Sequence, residues 1–512
     1  IRMSEGTDYT LYYDPANGNY DKSYETRIRT TFQHIFASTL QGYHYFTPRF
    51  DLKWTAIYSQ AGLNRPDQTY VNIDNLITNN VDNITIDNDG SDRRWEHNND
   101  RDISGLFGLT YRIPLRMGKL KLEGGGLFRN KNRNNFYVDY VFRPVDMTQK
   151  FESIDQIAWK LYTPFGSVGP LTYDASENIG SGYLQANYQR RKLELILGVR
   201  AEYTDQRYHM AYPKSGDSPD GGQTYTDILP NFQLKYTRSG KMNWKAGYFR
   251  SLSRPGYFEI VPYQIQEEEY TEFGNPNLKR TMIDNVDLRW EYFPKALDQL
   301  LIGAFYKNIQ SPIEFAYYTI NYRQSGMGLV NLGNAQNVGL EIDWIKYVRI
   351  FGVKANYTFT HSTITTPKVY YGKDENGNTQ TYTKEQTRPL VGQAAHVANL
   401  SLLLKDVNHG WDGQLSWTYT GERIAIVSRF LNSDYWDKPS ITLDASLEKR
   451  FRSGFSAFMK ANNLLNTPNI RFVKTHNAYN DKFEYQSSTS GNTIIRREYF
   501  YPSFLLGVRF KM

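Results

Sequence analysis

The sequence contains no cysteine in 512 residues, which excludes a disulfide framework and thiolate-held metal. It has no stretch approaching the roughly 18 consecutive apolar residues of a membrane-spanning helix. Only eight histidines occur. His34, His44, His361, His396 and His409 are scattered with no H-x-x-x-H spacing, so no metal site and no cofactor is expected. The excess of one charge over the other is small too. The formal net charge of +7 provides no dense basic stripe, which argues against a nucleic-acid partner. No catalytic pattern stands out, and the chain is not expected to be an enzyme. What is abundant is tyrosine, 41 residues, within an aromatic content of 15% and a mean hydropathy of -0.63. A soluble core takes its apolar mass from Leu, Ile and Val, whereas Tyr suits places where one end of a side chain meets lipid and the other water.

The recurring local pattern is period-two alternation, the mark of a strand with two different faces. Leu193, Leu195, Leu197, Val199, Ala201 and Tyr203 share one face, and Glu194, Gly198, Arg200 and Glu202 the other, with Ile196 the one exception. Val286, Leu288, Trp290 and Tyr292 oppose Asp287, Arg289 and Glu291. Val338, Leu340, Ile342 and Trp344 oppose Gly339, Glu341 and Asp343. Phe504, Leu506, Val508, Phe510 and Met512 oppose Ser503, Gly507, Arg509 and Lys511.

One alternating strand suits a soluble sandwich as well as a barrel; the connections decide between them. Short ones are expected near Thr47–Phe50, Arg116–Lys119, Arg190–Lys192, Arg238–Lys241, Pro294–Asp298, Val348–Gly352, Asp406–Gly410 and Arg450–Gly454. Long ones intervene near 70–102, 145–180, 205–226, 252–280, 316–335, 362–395, 422–438 and 468–494. Short turns on one side and long loops on the other are the signature of a transmembrane antiparallel β-barrel, with the short side periplasmic. This places the all-β chain in the outer membrane of a Gram-negative bacterium, crossing it many times. About 17 strands are expected, beginning near 25–46, with 1–24 an extracellular loop. A first strand running toward the short turns implies strands upstream of Ile1. A full wall of roughly 22 strands would leave about five of them outside this sequence.

Several segments, in order along the chain, resemble the barrel of a TonB-dependent receptor of the Bacteroidota type. YTEFGNPNLKR at 270–280 is similar to the family's G-N-P-x-L element, and VDLRWEYFP and IGAFYKNIQSPIE to the hairpin after it. NVGLEIDW at 337–344, RPLVGQAAHVANLSL at 388–402, WTYTGERIA at 417–425, MKANNLLNTP at 459–468 and YPSFLLGVRFKM at 501–512 resemble later strands. DLKWTAIYSQAGLNRPD at 51–67 resembles an earlier strand and loop. The plug domain and TonB box of such receptors are not in this sequence, and the terminal aromatic read by the barrel-assembly machinery is replaced by Met512. The resemblance implies import of a scarce ligand, such as an iron-siderophore, haem, vitamin, peptide or glycan, powered by TonB through the plug. It also implies contact with lipopolysaccharide and outer-membrane lipid, and a possible surface lipoprotein partner. The alternatives are a passive porin-like channel and a structural or adhesive barrel.

Residue chemistry nominates contacts for that unknown small ligand. Arg254, Arg280, Arg388 and Arg423 lie near outer strand ends and suit an anionic ligand. Tyr263, Tyr317, Tyr318 and Trp436 lie in long loops and suit stacking. Salt bridges inside the wall are the competing role for the arginines. The GNPNL segment reads as a tight re-entry loop. Acidic Glu267, Glu268, Glu269 and Glu272 read as solvated surface. Asp87, Asp89, Gly90 and Glu96 approach calcium-loop spacing, but Thr85 holds the first position and a solvated loop is expected. Trp54, Tyr58, Trp290, Tyr292, Trp344, Trp417 and Tyr419 read as interfacial girdles.

Overall fold

A computed structural model describes residues 2–16, 19–78, 81–149, 156–162, 171–213, 216, 218–266, 271–321, 324–475 and 491–510. Side chains of these residues are described from Thr26 onward, apart from 74–85, 87–90, 266 and 318–325. One sheet of 20 strands contains 18 wall strands, once the short outer partners Trp159–Leu161 and Thr379–Arg388 are set aside. They are β1 (Arg2–Ala16), β2 (Asn19–Thr47), β3 (Phe50–Thr78), β4 (Val81–Leu115), β5 (Gly118–Pro144) and β6 (Tyr173–Arg190). Next come β7 (Leu193–Met210), β8 (Asp220–Ser239), β9 (Met242–Ser253), β10 (Thr281–Lys295), β11 (Asp298–Gln310) and β12 (Asn334–Val348). The last are β13 (Phe351–Lys373), β14 (His396–Asp406), β15 (Trp411–Thr420), β16 (Ser440–Arg450), β17 (Phe455–Asn462) and β18 (Ser503–Phe510). Each pairs antiparallel with its neighbours in sequence.

All eight expected short connections are tight turns between paired strands. The register keeps like with like. Leu197 of β7 lies opposite Ala186 of β6 and Phe232 of β8, and Val199 opposite Leu184 and Pro230. These apolar positions are on the outside: Leu184 is 69% exposed and Ile228 55%. A wall with its greasy face outward is the inverse of a soluble core, and lipid is what covers it. From Leu193 to Tyr203 the apolar face of β7 runs ten steps, roughly 33 Å along the strand and about 25 Å across a membrane at the usual tilt. Near the short-turn rim Trp290 stacks on Tyr292 at 5.9 Å and the Trp54 indole N–H donates to His44 Nε2 at 2.9 Å. Trp54, Trp290 and Tyr292 lie on the outward-facing parity of their strands.

Two expectations change. The segment 1–24, expected as a loop, supplies β1 and the outer end of β2, paired from Arg2↔Gln33 to Ala16↔Asn19. β1 stops at Arg2↔Gln33, well short of the Thr47–Phe50 turn, so it lengthens the outer part of the sheet, and the described strands that run to the short-turn rim number 17, as expected. The region 70–102 is likewise the outer part of a hairpin, β4 alone spanning 35 residues, where a membrane crossing uses about 9–11. Above the lipid band both faces of a strand meet water or other polar chain. The alternation that marks the crossing then disappears, and the sequence reads as loop. Among the described residues no pairing joins β18 to β1 or β2, so the sheet has two free edges.

Candidate functional site

The inner face of the wall is polar and tightly cross-linked. Inside β4 and β5, Arg133 engages Asp100 at 2.7 Å and Arg129 engages Asp102. Within the lower wall Lys245 reaches Glu291 at 2.7 Å and the Gln299 amide donates to Asp343 Oδ1 at 2.6 Å. Charged groups shielded from bulk solvent persist only when matched in this way.

The connection from β9 to β10 folds inward against this face instead of arching into solvent. It carries a single helical turn, α1 (Tyr257–Ile260). Tyr257, Ile260, Val261, Tyr263, Ile265 and Leu278 pack with Tyr137, Tyr173, Tyr208 and Met210 of the wall into one buried cluster. Burial there pushes the Tyr257 phenol well above its ordinary pKa. It remains a neutral donor, and its hydroxyl donates to the Lys131 carbonyl at 3.2 Å. The GNPNL stretch fastens the segment's far end. Gly274 N–H donates to the Tyr263 carbonyl (3.1 Å) and Asn275 N–H to that of Glu259 (2.8 Å). The Asn275 amide reaches the Leu329 carbonyl at 3.1 Å. A Cβ on Gly274 would overlap the Val261 carbonyl oxygen, so the close crossing needs glycine.

Further loops continue this roof. Thr271–Phe273 pairs in parallel with Gln324–Asn331, which pairs in turn with Ile313–Asn321. Ala316 bridges to Val427, next to a second four-stranded sheet of Arg423–Ile426, Tyr435–Asp437, Asn469–Val473 and Thr493–Glu498. Two ion pairs with both partners almost fully buried hold this tier. Arg388 grips Glu314 through two bonds of 3.1 and 2.9 Å, and Lys368 contacts Asp434 at 2.8 Å. Burial drives the Lys368 pKa down while Asp434 pulls it back up.

The eight nominated residues fall into this roof and its supports. Arg254 pairs with buried Glu202 and donates to Thr204 Oγ1 at 3.1 Å. Arg280 binds Asp227 through Nε and Nη2 and lies 4.4 Å over the Tyr225 ring. Arg388 is the buried partner of Glu314. Arg423 shares Asp437 with Arg471, at 3.4 and 3.0 Å. Tyr263 is buried, its hydroxyl 2.6 Å from Glu272 Oε1. Tyr317 sits on the Ala316–Val427 seam, its N–H donating to the Val427 carbonyl at 2.8 Å. Trp436 carries the Lys474 ammonium 3.4 Å from its ring centroid. The Tyr318 side chain and Glu267, Glu268 and Glu269 lie outside the described residues, as do the side chains of Thr85, Asp87 and Asp89. Glu96, the last position of the calcium-like run, is taken by Arg65 at 2.7 Å. Among the described residues no group of three metal-ligating side chains converges.

Sequence reasoning passed over a different set. Arg27, Arg29, Arg65 and Arg94 line a cavity of about 300 Å³ on the inner side of the outer extensions of β2 to β4. They sit in stretches read as loop or as the strand start. The i, i+2 spacing of Arg27 and Arg29, which puts both on one face of a strand, was the signal available.

The outer membrane protein beta-barrel family model matches residues 66–497, most of the chain. The chain belongs to that family. The barrel is thus a multi-pass protein of the outer membrane, the reading already given by its outward apolar face. No curated protein matches its sequence. Among solved structures it is similar to the siderophore receptor PiuA from Acinetobacter baumannii. The identity is 11% and the TM-score 0.55, covering 91% of this chain and 73% of that one. It is similar to the ferric citrate transporter FecA, at 10% identity and TM-score 0.54, covering 99% and 74%. The copper transporter OprC is a third, at 12% identity and TM-score 0.52, covering 90% and 75%. At these identities the likeness is one of fold.

Proposed function

We propose that this barrel is an active-import receptor of the outer membrane. It captures a scarce ligand in its outer vestibule and admits it with energy from the TonB system, through a plug domain that this sequence does not include. The observation that carries the reading is the ordered roof. Passive channels need an open mouth, whereas here the β9–β10 segment packs against the inner face of the wall and the outer loops are knit into two small sheets beside buried ion pairs. A polar lumen of this width needs closing if the membrane is to stay tight. In this reading further strands join the two free sheet edges and bring the wall to roughly 22. Receptors and transporters for siderophores, ferric citrate and copper share the fold, and a ligand of that scarcity suits such a device. The test is growth or uptake on iron- or copper-limited medium with the gene intact, deleted, or intact in a strain lacking TonB. The reading requires uptake that disappears in both mutant strains. Uptake persisting without TonB would make the barrel a passive channel, and no uptake phenotype under any limitation would leave it an adhesive or structural barrel.

A further inference from the structure

The cavity lined by Arg27, Arg29, Arg65 and Arg94 lies on the inner face of the wall, above the lipid band, under Phe258 and Ile265 of the inward-folded segment. The guanidiniums of Arg27 and Arg94 lie over the same Tyr70 ring, at 5.8 and 4.6 Å. Arg65 pairs with Glu96. Arg94 is held by Asp92 and Asp139 at 3.2 and 3.4 Å. Arg29 has no carboxylate partner among the described residues. The cluster thus keeps a cation in reserve, beneath a partly apolar lid that strengthens its field.

Hydrogen bonding is left incomplete in the same place. Arg65 Nε is buried without a partner, and so is Gln68 Oε1, although Gln68 is only 6% exposed and its amide N–H already donates to the Tyr70 hydroxyl at 2.6 Å. Buried donors and acceptors are seldom left open in folded chains. An oxyanion entering here would accept from Arg65 Nε and from the Arg29 fork, while a hydroxyl or water beside it donates to Gln68 Oε1. Planar guanidinium forks match carboxylate and phosphate oxygens.

We propose that this cavity is an anion subsite of the vestibule, taking a carboxylate or phosphate group of the incoming ligand. The proposal rests on the receptor reading for how a ligand arrives, but binding to the cavity requires no transport. Lipid headgroups are an alternative source of phosphate only if they cross to the inner face, so the test uses protein refolded in detergent without lipopolysaccharide.

Inorganic phosphate and citrate are titrated separately at low ionic strength by isothermal calorimetry into the full chain, Arg29→Gln and Lys405→Gln. The last removes the same charge at the periplasmic rim, and heat-modifiable gel mobility verifies that each variant folds. Saturable 1:1 binding of at least one probe is expected, phosphate or citrate alone naming the oxyanion preferred. Arg29→Gln should weaken it about ten- to a hundredfold, the range for one charge-assisted hydrogen bond, and Lys405→Gln should leave it unchanged. No saturable binding of either probe, or equal weakening by both substitutions, overturns the subsite. Neither result bears on TonB-dependent uptake, which the growth assay measures separately.

Discussion

Replacing Lys368 with methionine leaves Asp434 as a buried carboxylate with most of its compensation removed. Lys368 and Asp434 side chains are 1% and 2% exposed. Asp434 Oδ1 accepts from the Lys368 ammonium (2.8 Å) and from the Ser428 N–H (2.8 Å), while Oδ2 has no partner. Lys368 also donates to the Ser428 carbonyl, so one ammonium ties the β13 arm to both ends of the 428–434 loop. Breaking a buried pair from one side costs roughly 3–5 kcal/mol. The pair joins the outer end of β13, past the lipid band, to the 428–434 loop, so that cost appears as local opening. At about 1.4 kcal/mol per decade, opening rises by some two to three and a half orders of magnitude. Amide exchange by mass spectrometry reads it directly: peptides covering 428–437 and 364–372 should exchange faster by that factor, with β7 and β8 unchanged. The double variant Lys368→Met with Asp434→Leu removes the stranded charge and should recover most of the protection. An increase below fivefold in the single variant, or a double variant as open as the single, would refute the argument.

Two further outcomes follow from the same geometry. Gly274→Ala should loosen the inward-folded segment by about 1–3 kcal/mol through overpacking, seen as faster proteolytic cleavage within 254–280 while the barrel keeps its heat-modifiable mobility. Leu197→Arg, on the lipid face of β7, should lower stability by roughly 2–4 kcal/mol in bilayer refolding titrations, whereas Gln185→Arg on the inner face of β6 should change it far less.

What could be read from the sequence follows the solvent boundaries. Where a strand shows lipid on one side and lumen on the other, as Leu193–Tyr203 does, alternation is enforced by two different media, and turns at Asp406–Gly410 or Arg450–Gly454 stand out between such strands. Where β2, β3 and β4 rise past the lipid, that contrast ends and strand is indistinguishable from polar loop. The partners of the nominated arginines were hidden for another reason. Glu202 lies 52 residues before Arg254 and Glu314 lies 74 before Arg388, separations that only the strand register brings together. Arg29 was passed over because nothing local separates a free arginine from a paired one.

The roof described above is knit into small sheets and held by charged pins that all come from this chain. A loop that orders only on contact gives up about 1–2 kcal/mol of backbone entropy for each residue it fixes, and a dozen such residues would exhaust the affinity of most small solutes. Here that loss is absorbed during folding. A solute then meets a lock already cut, and its whole interaction energy is available for holding on at the low concentrations of a depleted environment. The same stiffness constrains release: with its parts welded together, the cover moves as a plate or not at all.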